Sequence, residues 1–153
     1  MTRKISLFIS IFLLIGFQTF ANISTGGSID VNFGSDNKPM GTGSWNLEYK
    51  FLSFASAGVK LSGQSNFENT FALTPTAFAR LYPFSGAFVE VNIGGKFNWI
   101  NKSLKKNLTM GGSVGWRITS GHTYIEPKFS FDYAFGSKEP FTWSGGVGAG
   151  YSF

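Results

Sequence analysis

Cysteine is absent from the chain, so it has no disulfide framework, no thiolate metal centre and no thiol nucleophile. Charge is scarce: Asp, Glu, Lys and Arg make up 14% of residues, against about 25% in ordinary soluble domains. A chain this poor in ionised groups and this rich in aromatics, at 18%, needs an apolar setting for part of its surface. Histidine occurs once. A protein-held metal needs three or four ligands, and a hydrolytic triad needs a nucleophile, a base and an orienting acid. His122-Thr123-Tyr124 offers neither, so the residue reads as a turn-edge histidine, and no cofactor or metal is expected. Also missing is an apolar run that could span a bilayer as a helix. The longest, Ile5 to Phe17, has about thirteen residues where roughly 20 are needed. No segment sustains a helical period, and the net charge of +5 carries no nucleic-acid signature.

The N-terminus has its own organisation. Thr2-Arg3-Lys4 is basic, Ile5 to Phe17 is uncharged, and Gln18-Thr19-Phe20-Ala21 ends on a small residue. This is the layout of a secretory signal peptide, with cleavage expected near Ala21. Residues 1–21 are then the export signal and residues 22–153 a single domain. Loss of Arg3 and Lys4 takes the net charge from +5 to +3.

Residues 22–153 divide into eight segments in which apolar and polar positions alternate, the period-2 signature of strands. Ser24–Phe33 sets Ile29, Val31 and Phe33 against Ser28, Asp30 and Asn32. Ser44–Leu52 opposes Trp45, Leu47, Tyr49 and Phe51 to Asn46, Glu48 and Lys50. Ser56–Gly63 follows, with Ala57, Val59 and Leu61 opposite Lys60 and Ser62. Phe71–Tyr82 places Leu73, Ala77, Ala79 and Leu81 against Thr74, Thr76 and Arg80, and its Pro75 removes a ladder donor. Ala87–Trp99 alternates Val89, Val91, Ile93 and Phe97 with Phe88, Glu90, Asn92 and Lys96. Asn107–Ile118 and Tyr124–Phe135 continue the pattern, with Arg117, Glu126, Lys128 and Asp132 on their polar faces. Phe141–Phe153 closes it, alternating Phe141, Trp143, Val147, Ala149, Tyr151 and Phe153 with Thr, Ser and Gly.

The connections between these segments alternate in length. Residues 34–43, 64–70, 100–106 and 136–140 are long, whereas 53–55, 83–86 and 119–121 are tight and uncharged. Such alternation is expected of an up-and-down barrel with both chain ends on the same side. The interior of an eight-stranded barrel is only wide enough to be filled by side chains, so the bulky apolar face cannot all point inward. Turned outward, it becomes a lipid-facing belt. Phe33, Trp45, Phe97, Trp99, Phe135 and Trp143 then form one rim girdle, and Phe51, Trp116, Tyr151 and Phe153 the other. The lumen receives Asp30, Glu48, Glu90, Glu126 and Asp132 together with Lys50, Lys60, Arg80, Lys96, Arg117 and Lys128. Signs nearly balance there, as buried charges require. Gly58, Gly94, Gly111, Gly115, Gly146, Gly148 and Gly150 make room for them. The run Gly145 to Gly150 reads as lumen lining; a phosphate loop would have to lead into a helix.

With Tyr151 two places before a terminal Phe153, the last segment resembles the closing strand of bacterial outer-membrane β-barrels, which their assembly machinery recognises. Residues 22–153 resemble small barrels of the OmpA/OmpX or opacity type. Thr74 to Phe84 is similar to the Arg-Tyr-Tyr-Pro segment of such families, with Leu81 in place of the first tyrosine. The resemblance implies an eight-stranded antiparallel transmembrane barrel in a Gram-negative outer membrane, whose partners are lipid, lipopolysaccharide and the barrel assembly machinery. Members serve as envelope-stabilising, adhesive or resistance proteins, so a structural or surface-interaction role without catalysis is expected. A narrow-pore channel is the alternative; a lipid A-modifying enzyme follows behind it. Lys102, Lys105 and Lys106 form a basic patch in the third long connection, suited either to an ordinary solvated loop or to lipopolysaccharide phosphates.

Overall fold

Alternation of side chains gives each segment two unlike faces, and hydrogen bonding between segments then decides the architecture. The computed structural model describes residues 22–34, 39–65, 70–100, 103–137 and 140–153. The expected export signal, and Asp36, Lys38, Glu68, Lys102, Lys138 and Glu139 of the connections, lie outside the described residues. Among those described there are nine β-segments and no helix: β1 (Ile23–Phe33), β2 (Pro39–Leu52), β3 (Ala55–Ser65), β4 (Thr70–Leu81), β5 (Ala87–Ile100), β6 (Ser103–Trp116), β7 (Ile118–Ser120), β8 (Thr123–Ala134) and β9 (Phe141–Ser152).

Neighbours in the chain pair antiparallel from β1 to β6, and β8 pairs with β9. First and last strands then meet, from Ser24 against Ser152 to Phe33 against Trp143, which closes the sheet on itself. β6 and β7 both pair with β8 in one register, Gly115 against Lys128 and Ile118 against Ile125. They are one wall strand interrupted at Arg117, beside the point where Pro127 brings no N–H to the ladder. Pro75 acts alike: β4–β5 pairing lapses between Leu73–Phe97 and Thr76–Gly94 without any change of register. The fold is therefore all-β, a closed antiparallel barrel of eight staves.

The loop pattern differs from expectation. The strands absorb part of the first three long connections, leaving residues 34–38, 66–69, 101–102 and 135–140 between strands at one end, here the far rim. The near rim, which carries both ends of the barrel chain, has 53–54, 82–86 and 121–122. Both rims are short-looped, so length does not tell them apart. The cause is that a barrel strand can extend through any residues whose backbone finds a neighbour. Pro39 to Gly43 and Ser103 to Lys106 pair although their composition reads as loop. Lys105 and Lys106 consequently lie on β6, outside any connection. Left-handed glycines, Gly86 at φ 84° and Gly121 at φ 60°, make two of the tight near-rim turns.

Orientation of the faces is inverted relative to a soluble protein. Ile29 is 76% and Val91 62% exposed on the outer wall, while Glu48, Arg80 and Glu90 are 1%, 3% and 2% exposed inside. Inside, size is matched across neighbouring strands. Gly58 pairs with Phe78, Gly115 with Phe88, Gly150 with Tyr124 and Gly146 with Asp30. In each case a Cβ on the glycine would collide with the large partner. A narrow lumen is filled this way, bulk against no side chain at all.

Candidate functional site: the barrel lumen

Even-numbered residues of β1, β3, β4, β5, β8 and β9 point inward, as do those of β2 as far as Lys50 and the odd ones of β6, because strand side chains alternate. A register shift between Lys50 and Leu52 leaves Leu52 exposed. The lumen that results has two parts.

The half nearer the near rim is a plug. Arg80 of β4 is its hub. Its Nη2 lies 2.6 Å from Glu90 Oε2, and its Nη1 lies 2.9 Å from Glu126 Oε1 and 3.3 Å from Glu48 Oε2. Arg117 approaches two of the same carboxylates at 2.5 Å, Glu48 through Nη2 and Glu126 through Nε. Lys60 takes Glu90 at 2.8 Å. Glu48 also accepts from Tyr82 Oη at 2.7 Å and from the Ser56 hydroxyl. Three carboxylates thus meet three cations in a buried set that is neutral as a whole. Rings pack the cations in place: Arg80 sits 4.2 Å from the Phe88 centroid and 5.3 Å from Phe78, and Arg117 sits 4.2 Å from Tyr124. Lys50 lies over the Tyr82 ring at 4.9 Å, with no carboxylate among its described contacts.

The other half is a polar cup of about 90 Å³, room for several waters. Among the described residues its wall holds no apolar side chain. Hydroxyls from Thr42, Ser62, Thr74, Thr109, Thr142 and Ser144 alternate with the amides of Asn32, Gln64 and Asn92. Asp30, Asp132, Lys60 and Lys96 supply the charge. Asp30 Oδ1 stands 3.3 Å from Lys128 Nζ, and its Oδ2 accepts from Ser28 Oγ at 2.8 Å. The eleven expected lumen charges therefore do not form one network. Glu48, Lys60, Arg80, Glu90, Arg117 and Glu126 come together, Asp30 and Lys128 pair separately, and Lys96 and Asp132 line the cup.

Phe78 is buried in the plug, a position its apolar character hides in the sequence. The cup amides and hydroxyls were readable only from their parity. Among the described residues, no group of three or more His, Cys, Asp or Glu could hold a metal. His122 belongs to the near rim, stacked on Tyr151 at 5.5 Å with Nδ1 3.0 Å from the Ser152 carbonyl. Gly145 to Gly150 is strand throughout.

Outside, the expected girdle residues divide. Phe33, Phe97, Trp99, Trp143 and the turn residue Phe135 stand toward the far rim, and Trp116, Tyr151 and Phe153 toward the near one. Trp45 does not reach a rim. It pairs with Gly27 and Leu61 at mid-strand, because β2 begins five residues before the expected start at Ser44. Phe129, Tyr133, Phe141 and Trp143 form a linked aromatic cluster across β8 and β9, with centroids 5.0–6.2 Å apart. The basic patch separates too. Lys106 faces outward beside the Phe97 ring, 5.9 Å from its centroid, while Lys105 has the inward register and Lys102 lies outside the described residues.

No protein-family model matches the sequence, and no curated protein does either. Solved structures do resemble it. Neisserial surface protein A is similar at a TM-score of 0.58 and 9% identity, over 86% of this chain and 96% of that one. Ail, the attachment invasion locus protein of Yersinia pestis, also gives 0.58, at 12% identity over 86% and 97%. A de novo designed transmembrane β-barrel gives 0.54, at 11% identity over 83% and 94%. A designed barrel matches nearly as well as the natural ones, so what these proteins share with this chain is the fold.

Proposed function

We propose that the chain is an integral β-barrel of a bacterial outer membrane that acts through its fixed surface and conducts no solute. The observation that carries this reading is the inverted wall: exposed aliphatic and aromatic side chains outside, ionised groups paired within. Hydrocarbon is the one solvent in which that arrangement puts each group where it is most stable. The near rim, with both ends of the barrel chain, faces the periplasm, as in barrels of even strand number. Catalysis has no part in the reading, since the three carboxylates of the plug are committed to Lys60, Arg80 and Arg117. A channel finds support only in the cup, and the Arg80 plug stands between it and the near rim.

Purified protein folded into lipid vesicles should migrate differently on gels when boiled and unboiled, and should give no stable conductance in planar bilayers. Large, long-lived openings would overturn the closed-lumen reading. Failure to insert into lipid would overturn the location itself.

Tyr151 on the last strand and Phe153 just past its end, with ring centroids 5.1 Å apart, are the features offered to the barrel assembly machinery. Lipopolysaccharide is the proposed far-rim lipid partner. Of the two described lysines in the basic patch, only Lys106 points toward the bilayer, and an ammonium at headgroup depth is attracted to anionic phosphates. Lys106→Gln should therefore lower the lipopolysaccharide retained through purification more than Lys105→Gln does. Equal retention by both variants would remove the assignment.

A further inference from the structure

The near rim is unlike on its two sides. Where β2 turns into β3 and β4 into β5, Phe51, Leu52, Phe54, Leu81 and Phe84 are all exposed, Phe84 at 73% and Phe54 at 55%. Neither Phe51 to Val59 nor Leu81 to Val89 contains a charged residue. The Tyr82 N–H donates to the Phe54 carbonyl at 2.8 Å, so the two turns form one ledge. Across the barrel the third turn is polar: Thr119, Ser120, Gly121, His122 and Thr123. There β7 and β8 continue past the level of Trp116, pairing to Ser120 and Thr123.

We infer that the ledge lies in the headgroup–acyl boundary of the membrane leaflet at the near rim, so that the barrel leans with its β2–β5 wall deepest. This rests on the proposed membrane residence. Continuity with the outer wall argues for lipid as the occupant. Phe51 and Leu81 are the last outward residues of β2 and β4, and no charge separates them from Phe54 and Phe84. Aromatic rings favour headgroup depth. The opposite turn, with its hydroxyls and imidazole, is built for water.

A chain without native thiols permits a direct test. Phe54→Cys, Phe84→Cys, Ser120→Cys and Val91→Cys, made singly, are folded into phosphatidylcholine–phosphatidylglycerol nanodiscs, where both faces meet solvent. Each is labelled with an environment-sensitive fluorophore, then quenched by aqueous iodide or by lipids spin-labelled high on the acyl chain. Labels at positions 54 and 84 should be quenched by the spin-labelled lipid, and severalfold less by iodide than the label at 120. If iodide reaches 54 and 84 as it does 120 while 91 stays shielded, the ledge is in water and the inference fails, but the membrane reading stands. If 91 is open to iodide as well, both fall together. Shielding of 54 and 84 from both quenchers would mean a second copy covers them, which also overturns the inference.

Discussion

Arg80→Ala should destabilise the barrel by about 3–5 kcal/mol, the range found when one partner of a buried ion pair is removed. The size follows from counting what remains. With Arg80 gone, Arg117 still holds Glu48 and Glu126, and Lys60 still holds Glu90. Three carboxylates then face two cations in a space where Glu48 and Glu90 are 1% and 2% exposed. One negative charge is left without compensation and without water. Arg80→Lys keeps the charge but loses the fork that reaches Glu90 and Glu126 together, so its cost should fall between wild type and alanine. Urea unfolding in lipid vesicles, read by tryptophan fluorescence, measures all three proteins. An alanine variant as stable as wild type would mean that water enters the plug. The same variant belongs in planar bilayers, since Arg80 stands between the cup and the near rim.

Much of this arrangement was legible in the residues. Parity alone assigns Glu48, Arg80, Glu90 and Glu126 to one side of the wall and Val91, Phe97 and Trp143 to the other, because side chains alternate along a regular strand. What parity cannot supply is height. Trp45 reads as a rim tryptophan only if its strand starts at Ser44, and the five residues before that contain a proline and two glycines. In a barrel these residues have a neighbour on each side, and pairing outweighs their weak strand propensity. The same effect draws Lys105 and Lys106 onto β6. Division of the lumen into plug and cup was hidden for a related reason: it depends on which inward residues share a level, hence on register. Once the register is known, the glycines explain themselves. Several large inward groups, Phe78, Phe88 and Asp30 among them, sit across from one.

Val91→Lys separates the membrane reading from every soluble one, and its expected cost is about 2–4 kcal/mol. Val91 is outward on β5, between Ala79 on β4 and Gly112 on β6, and is 62% exposed. On a protein in water, a lysine replacing so exposed a valine changes stability by about 0.5 kcal/mol at most. No packing is lost there and no buried group is stranded, so hydrocarbon is the only source of a large penalty. Around it the outward residues are Val89, Ile93, Ala77, Ala79, Gly112 and Val114, and none offers a carboxylate to the new ammonium. Position along the strand gives a second handle. Lysine penalties in a bilayer fall to about 0–1 kcal/mol near the interfaces, and Lys106, outward beside Phe97 toward the far rim, is a native lysine at such a height. Lysines placed in turn at Val89, Val91, Ile93 and Phe97 should cost most in the middle of the strand. A flat series near zero would place this wall in water, and a uniformly high one would point to lost packing. Only a peak at mid-strand has the shape of a bilayer.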